Sequence, residues 1–185
     1  MKRSFLLSAL AIAVFSAISV GASAQSPQPY SGMQSRQIKA LSDQQIADLK
    51  AGRGMGLALA AELNGYPGPS HLVELSDQIG LTPDQLSKLN AMFDAMKAET
   101  IPIGETLIAQ EQRLDQLFAG HAISERHLEA ATKDIGEMQA RLRNAHLSYH
   151  LRSRAILEPS QIRRYAELRG YDGQQERMLH QYHHE

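Results

Sequence analysis

The sequence predicts an all-α protein: a long antiparallel helical hairpin with a shorter first helix and minor helices beside it. Three observations predict it. Leu, Ala, Gln, Glu and Arg dominate a chain without Cys or Trp, a helix-forming composition. Two apolar seams alternate steps of three and four residues, the spacing of packed long helices. Capping chemistry marks where the helices start.

Taken in order, residues 1–24 read as a cleavable signal peptide. Lys2 and Arg3 precede an apolar run from Phe5 to Val20, and Ala22-Ser23-Ala24 supplies small residues at a cleavage point after Ala24. Ser8, Ser16 and Ser19 interrupt the run, which falls short of the roughly 20 apolar residues of a spanning helix. The expected location is therefore the periplasm, with no stable membrane insertion after cleavage. Residues 25–41, rich in Ser, Gln and Pro, are expected to be a flexible lead-in.

The helical domain is expected over 42–170. Ser42-Asp43-Gln44-Gln45 is a capping box opening a helix expected to run to Leu63. Its middle holds Gly52, Gly54 and Gly56, which indicate close packing or a local break; no preceding strand or GK[ST] supports a phosphate loop. A turn over 64–69 and a short helix over 70–79 follow. In Leu81-Thr82-Pro83-Asp84-Gln85-Leu86, Thr82 is the N-cap and Pro83 fills the first helical position. Gln85 returns a bond to the cap, and Leu81 staples to Leu86. The seam from there is Leu86, Leu89, Phe93, Met96, Thr100, Ile103, Leu107, Gln110, Leu114 and Leu117, with Pro102 expected to kink the helix. A second seam after Ser124 runs through Leu128, Ala131, Ile135, Met138, Leu142, Ala145, Tyr149, Arg152 and Ile156. The start chemistry then recurs in Leu157-Glu158-Pro159-Ser160-Gln161, with Glu158 a weaker cap than Thr. Residues 171–185 form a His-containing tail, expected to be disordered.

Charge is uneven. Residues 25–140 carry nine Lys and Arg against fifteen Asp and Glu, whereas 141–170 carry seven Arg against Glu158 and Glu167. Either a binding surface for acidic or mixed segments or a solvated helix face produces such a split.

Two constellations bear on chemistry. His146 and His150, four residues apart, share a helix face at the expected border between core and solvent, where two imidazoles can chelate one ion or hydrogen-bond to neighbouring helices. Leu147 stands where a zinc protease needs Glu. Further donors would have to come from His71, a carboxylate such as Glu74, or His180, His183 and His184 of the tail. Without Cys, a nucleophile elbow, a P-loop or a strand scaffold, no enzyme is expected. Nucleic acid is not an expected partner.

Paired Leu81-Thr82-Pro83-Asp84-Gln85 and Leu157-Glu158-Pro159-Ser160-Gln161 starts around a long hairpin resemble the Spy/CpxP family with its LTxxQ motifs, the second departing at the threonine. The segment from Gly52 to Pro69 is similar to the branch known as periplasmic heavy-metal sensor and resistance proteins. The resemblance implies a Spy/CpxP-like fold, often dimeric, and an ATP-independent chaperone that binds unfolded or stressed envelope proteins. Arg141, Arg143, Arg152 and Arg154 are the expected client contacts. The alternatives are a periplasmic protein that binds or senses zinc, nickel or copper through His146, His150, His180, His183 and His184, and a regulator that binds the periplasmic domain of a sensor kinase. On the chaperone reading no cofactor is required. A homodimer is expected, since a thin helical layer leaves apolar surface for a second copy. Leu81, Thr82, Pro83, Gln85, Leu157, Pro159 and Gln161 are expected to act structurally, as caps and staples.

Overall fold

A computed structural model describes residues 28–171. The chain divides at Ser31, and the helices all lie in the unit that begins at Gly32. They are α1 (Asp43–Lys50), α2 (Leu59–Glu62), α3 (Pro69–Glu74), α4 (Ser76–Ile79), α5 (Pro83–Ala119), α6 (Glu125–Arg154) and α7 (Pro159–Arg169). Among the described residues there is no strand. The fold is all-α and Spy/CpxP-like, and none of these helices is long and apolar enough to cross a membrane. The signal segment and the tail histidines His180, His183 and His184 lie outside the described residues.

Helices begin where short polar side chains satisfy the first free N–H groups. Ser42 Oγ accepts from Gln45 N–H at 3.2 Å, and Thr82 Oγ1 accepts from Gln85 N–H at 3.2 Å. In both, the glutamine oxygen accepts from the cap's own N–H, at 2.9 and 3.0 Å. Ser124 caps α6 through His127 N–H. At α7, Glu158 N–H donates to Gln161 Oε1 at 2.9 Å, while Gln161 N–H goes to the Glu158 main-chain carbonyl at 3.0 Å. The side-chain amides of Gln85 and Gln161 also bond to each other, tying the α5 and α7 starts together.

Long α5 spans about 55 Å at 1.5 Å per residue, and the turn at 120–124 lays α6 back along it. Pro102 does not interrupt α5. Two apolar cores form. One gathers Ile38, Leu41, Leu49, Ile103, Leu107, Ile135, Met138 and Leu142. The other gathers Leu72, Ile79, Leu89, Leu157 and Tyr165. Along α5 and α6 the stretch between them buries polar side chains, Thr100, His146, His150 and Ser153, beside Met96, Ala145 and Tyr149. Thr100 and Ser153 return their hydroxyls to the carbonyls of Met96 and Tyr149, each at 2.8 Å, and so need no other partner. His146 Nε2 has no such recourse.

Five local expectations are corrected. The helix expected to reach Leu63 stops at Lys50, because Gly52 turns left-handed (φ 66°) and Met55 and Gly56 follow with positive φ. Gly52 also lies so close to α5 that a Cβ would stand 2.8 Å from Thr100 Oγ1. The helix expected over 70–79 starts one residue earlier, with Pro69 as its first residue, and breaks at Leu75 into α3 and α4. In the lead-in, Ile38 (1% exposed) and Leu41 enter the first core, since two aliphatic side chains suffice to pin an otherwise polar segment. Late in α6 the seam is displaced: Arg152 is exposed and Ser153 buried. His146 and His150, placed at a solvent border by the seam, are only 2% and 8% exposed. Residues 51–69 roof that side of α6, giving the helix a second buried face.

Candidate metal centre

Glu62 is the unexpected centre of this roofed region. It ends α2, and its carboxylate is buried at 6% exposure, which is costly unless every oxygen is partnered. The partners come from four directions. Gly68 N–H donates to Oε2 at 3.2 Å, and His150 Nδ1 of α6 lies 3.6 Å from the same oxygen. On Oε1, the Tyr165 hydroxyl of α7 donates a hydrogen bond, and His71 Nδ1 of α3 lies 3.4 Å away. The Tyr165 oxygen is also 3.3 Å from His71 Nδ1.

Electrostatics follow from this geometry. Burial pushes the Glu62 carboxyl up, but hydrogen bonds from His71, Tyr165 and Gly68 outweigh it and hold the group below the usual Glu range. It is an anion at neutral pH. Burial lowers the His146 pKa and keeps the ring neutral at neutral pH. Burial and the Glu62 charge push Tyr165 far up, so the phenol keeps its proton and acts as a donor.

Imidazole tautomers are set by the surroundings. His150 Nδ1 is 2.6 Å from the Tyr66 carbonyl, which can only accept, so Nδ1 carries the hydrogen and Nε2 the lone pair. His146 Nε2 is buried with no hydrogen-bond partner. Backbone without side chains covers both rings. A Cβ on Gly68 would stand 2.7 Å from His150 Nε2, and one on Gly54 would stand 3.4 Å from His146 Nδ1. The cavity beneath holds about 630 Å³ and is lined by Glu62, His71, His146 and His150, with Met96 and Phe93 on its α5 side. Half-exposed His71 sits at its rim.

This donor set fits a divalent ion. Neutral imidazoles and an ionised carboxylate are the ligands of zinc, nickel and copper. An orphaned buried imidazole nitrogen is rare without a role. Of these contacts only the 3.4 Å between Glu62 Oε1 and His71 Nδ1 bears on coordination, close to the roughly 3.3 Å between two ligands on a tetrahedral ion with bonds of about 2.0 Å, since His150 Nδ1 is taken by the Tyr66 carbonyl. Among the described residues no three His, Asp or Glu side chains already converge on one point. In this state Gly68 and Tyr165 hold the carboxylate, with His71 and His150 beside it.

The structure thus brings His146 and His150 together with His71, one of the extra donors the sequence offered. Glu74 is exposed on the outer wall of the cavity. Glu62 and Tyr165 escaped the sequence reading. One signal pointed to Glu62: it is the only acid between Asp48 and Glu74, set in the apolar run 57–63.

The four arginines have different neighbours. Arg152 stacks on the Tyr149 ring at 4.8 Å and Arg154 on Tyr66 at 4.7 Å. Arg141 is exposed beside Met138. Arg143 borders a separate groove of about 580 Å³ walled by Leu41, Leu49, Leu57, Leu107 and Leu142.

A family model described as heavy-metal resistance matches residues 54–164, the span that holds Glu62, His71, His146 and His150. No curated protein and no solved structure matches the chain.

Proposed function

This chain belongs to the heavy-metal resistance family, within the Spy/CpxP-like helical superfamily, and on that premise we propose that it binds a divalent transition metal at Glu62, His71, His146 and His150. One observation carries the proposal: His146 presents a neutral, buried, unpartnered Nε2 in the same cavity as a buried, ionised Glu62. His150 supports it, since its Nδ1–H on the Tyr66 carbonyl frees Nε2, the arrangement that orients metal-binding histidines. Zinc, nickel and copper accept this nitrogen and oxygen set. The protein acts as a binder, not a catalyst, and the signal-like first 24 residues support a periplasmic setting.

Calorimetry of the full mature chain with zinc, nickel and copper tests this. Binding to one internal site is expected to disappear in His146→Gln and Glu62→Gln. It should persist when His180, His183 and His184 are all changed to Asn. Unchanged affinity in the two core variants would show that the cavity is not the site.

A second reading, chaperone action on unfolded envelope proteins, is supported by the Arg143-rimmed groove. Its leucines would hold an apolar segment, and Arg143 would attract a neighbouring acid. Failure of Leu57→Asp to reduce suppression of client aggregation would remove the groove from that reading.

A further inference from the structure

We propose that Tyr165 is a positioning residue of the metal centre, so that metal binding and the docking of α7 strengthen each other. The proposal rests on the reading of the cavity as a metal site and extends it to an element that supplies no ligand.

The geometry begins with Glu62. Its Oε2 is held by a main-chain N–H in a turn whose flanking prolines, Pro67 and Pro69, are buried, so that contact is part of the backbone. Its Oε1 has two side-chain partners. His71 Nδ1 lies 3.4 Å away, and it can serve an ion once its hydrogen sits on Nε2. The other is Tyr165, whose hydroxyl donates to Oε1. His71 Nδ1 and Glu62 Oε1 would hold the ion in place of the present His71 hydrogen bond, and the phenol would stay on the carboxylate. Carboxylate ligands are commonly oriented this way, and loss of such a partner costs roughly 10–100-fold in metal affinity.

Tyr165 stands on α7, which follows the long hairpin. Its ring is 2% exposed among Leu72, Ile79, Leu89 and Leu157, so packing fixes the hydroxyl. Gln161, four residues earlier, lies on the same helix face and bonds Gln85. α7 is thus bolted at two polar points on one face, to the α5 start and to the metal-site carboxylate. The Tyr165 position is one residue beyond the span the family model matches. Coupling between two binding events is reciprocal: if docked α7 raises metal affinity, bound metal stabilises docked α7 by the same factor.

Tyr165→Phe keeps the ring and its apolar contacts and removes only the hydroxyl. Two measurements on the full mature chain test the proposal: zinc affinity by competition with a chromophoric chelator, and hydrogen exchange of the α7 amides with and without zinc. The expected result is a roughly 10–100-fold weaker affinity in Tyr165→Phe. Zinc should slow exchange in α7 of the parent but not of the variant. Parental affinity in Tyr165→Phe, tighter binding, or no effect of zinc on α7 of the parent overturns the proposal. Glu62→Gln separates the two readings. If the parent binds, Glu62→Gln does not and Tyr165→Phe matches the parent, the metal site stands and the role of Tyr165 fails; if the parent does not bind, both fail.

Discussion

Gln85 and Gln161 exchange two side-chain hydrogen bonds, each amide nitrogen donating to the other's oxygen at 2.9 Å. Each also donates to a main-chain carbonyl beside the partner motif, Gln85 to Ile156 at 2.8 Å and Gln161 to Gly80 at 2.9 Å. The two motifs, 76 residues apart in sequence, therefore form one joint. Each glutamine oxygen also accepts from its own cap's N–H, so each amide serves its helix start and the other's together. Gln85→Ala and Gln161→Ala should each destabilise the fold, and the double variant should lose less than their sum. Residues that share a network commonly show coupling of about 0.5–3 kcal/mol. Urea unfolding of the four-member cycle measures it, and strict additivity would show that the joint contributes nothing.

Thr82→Ala removes the Oγ1 that accepts Gln85 N–H and should lower stability by about 1 kcal/mol, the usual loss for an N-cap. Glu158→Thr should raise it by less, because a short hydroxyl caps better, while Glu158 already places negative charge at the α7 start. Thermal melts beside the parent check both. A Thr82→Ala variant with the parental melt but impaired metal or client binding would make the motif a functional site.

Gly68→Ala tests the roof over the site. Gly68 has a φ of −79°, which any residue tolerates, so only the added methyl matters. That methyl would stand 2.7 Å from His150 Nε2, and either the ring or the 64–68 turn has to move. Overpacking of this kind costs about 1–3 kcal/mol. The expected outcome is weaker zinc binding together with a lower melting temperature. Zinc affinity equal to the parent's would mean that His150 is not held by this contact.

The hairpin was legible because local rules agree with packing there. Thr82, Pro83 and Gln85 start α5 as their chemistry dictates, and the seam residues Leu89, Met96, Ile103 and Leu107 are buried at the expected spacing. The site was half legible. The four-residue spacing of His146 and His150 placed them on one helix face, but the seam could not show that residues 51–69 cover that face. Such a roof is made by chain reversal at Gly52, Met55 and Gly56, where positive φ leaves no periodic signal. Glu62 and Tyr165 meet across 103 residues, a pairing decided by how α2 and α7 dock.

Acid should weaken this fold through the centre. The His146 pKa is lowered in the folded state from its ordinary value of 6.5, so between the two values the unfolded chain binds a proton that the folded chain excludes. The stability tied to its neutrality is fully present above about pH 6.5 and is lost as pH falls through the folded value. Glu62 has the same sign at lower pH: its carboxyl is held below 4.5, so its contribution is present above that value and is lost on further acidification. Urea unfolding should therefore show a fall in stability from pH 7.5 to 5.5, when only His146 of this pair is in its window, and a second fall below pH 4.5. His146→Gln removes the imidazole and keeps a side chain of similar length, and it should flatten the first fall while leaving the second. A variant that retains the whole drop between pH 7.5 and 5.5 would assign it to another histidine and remove His146 as the buried neutral donor of the cavity.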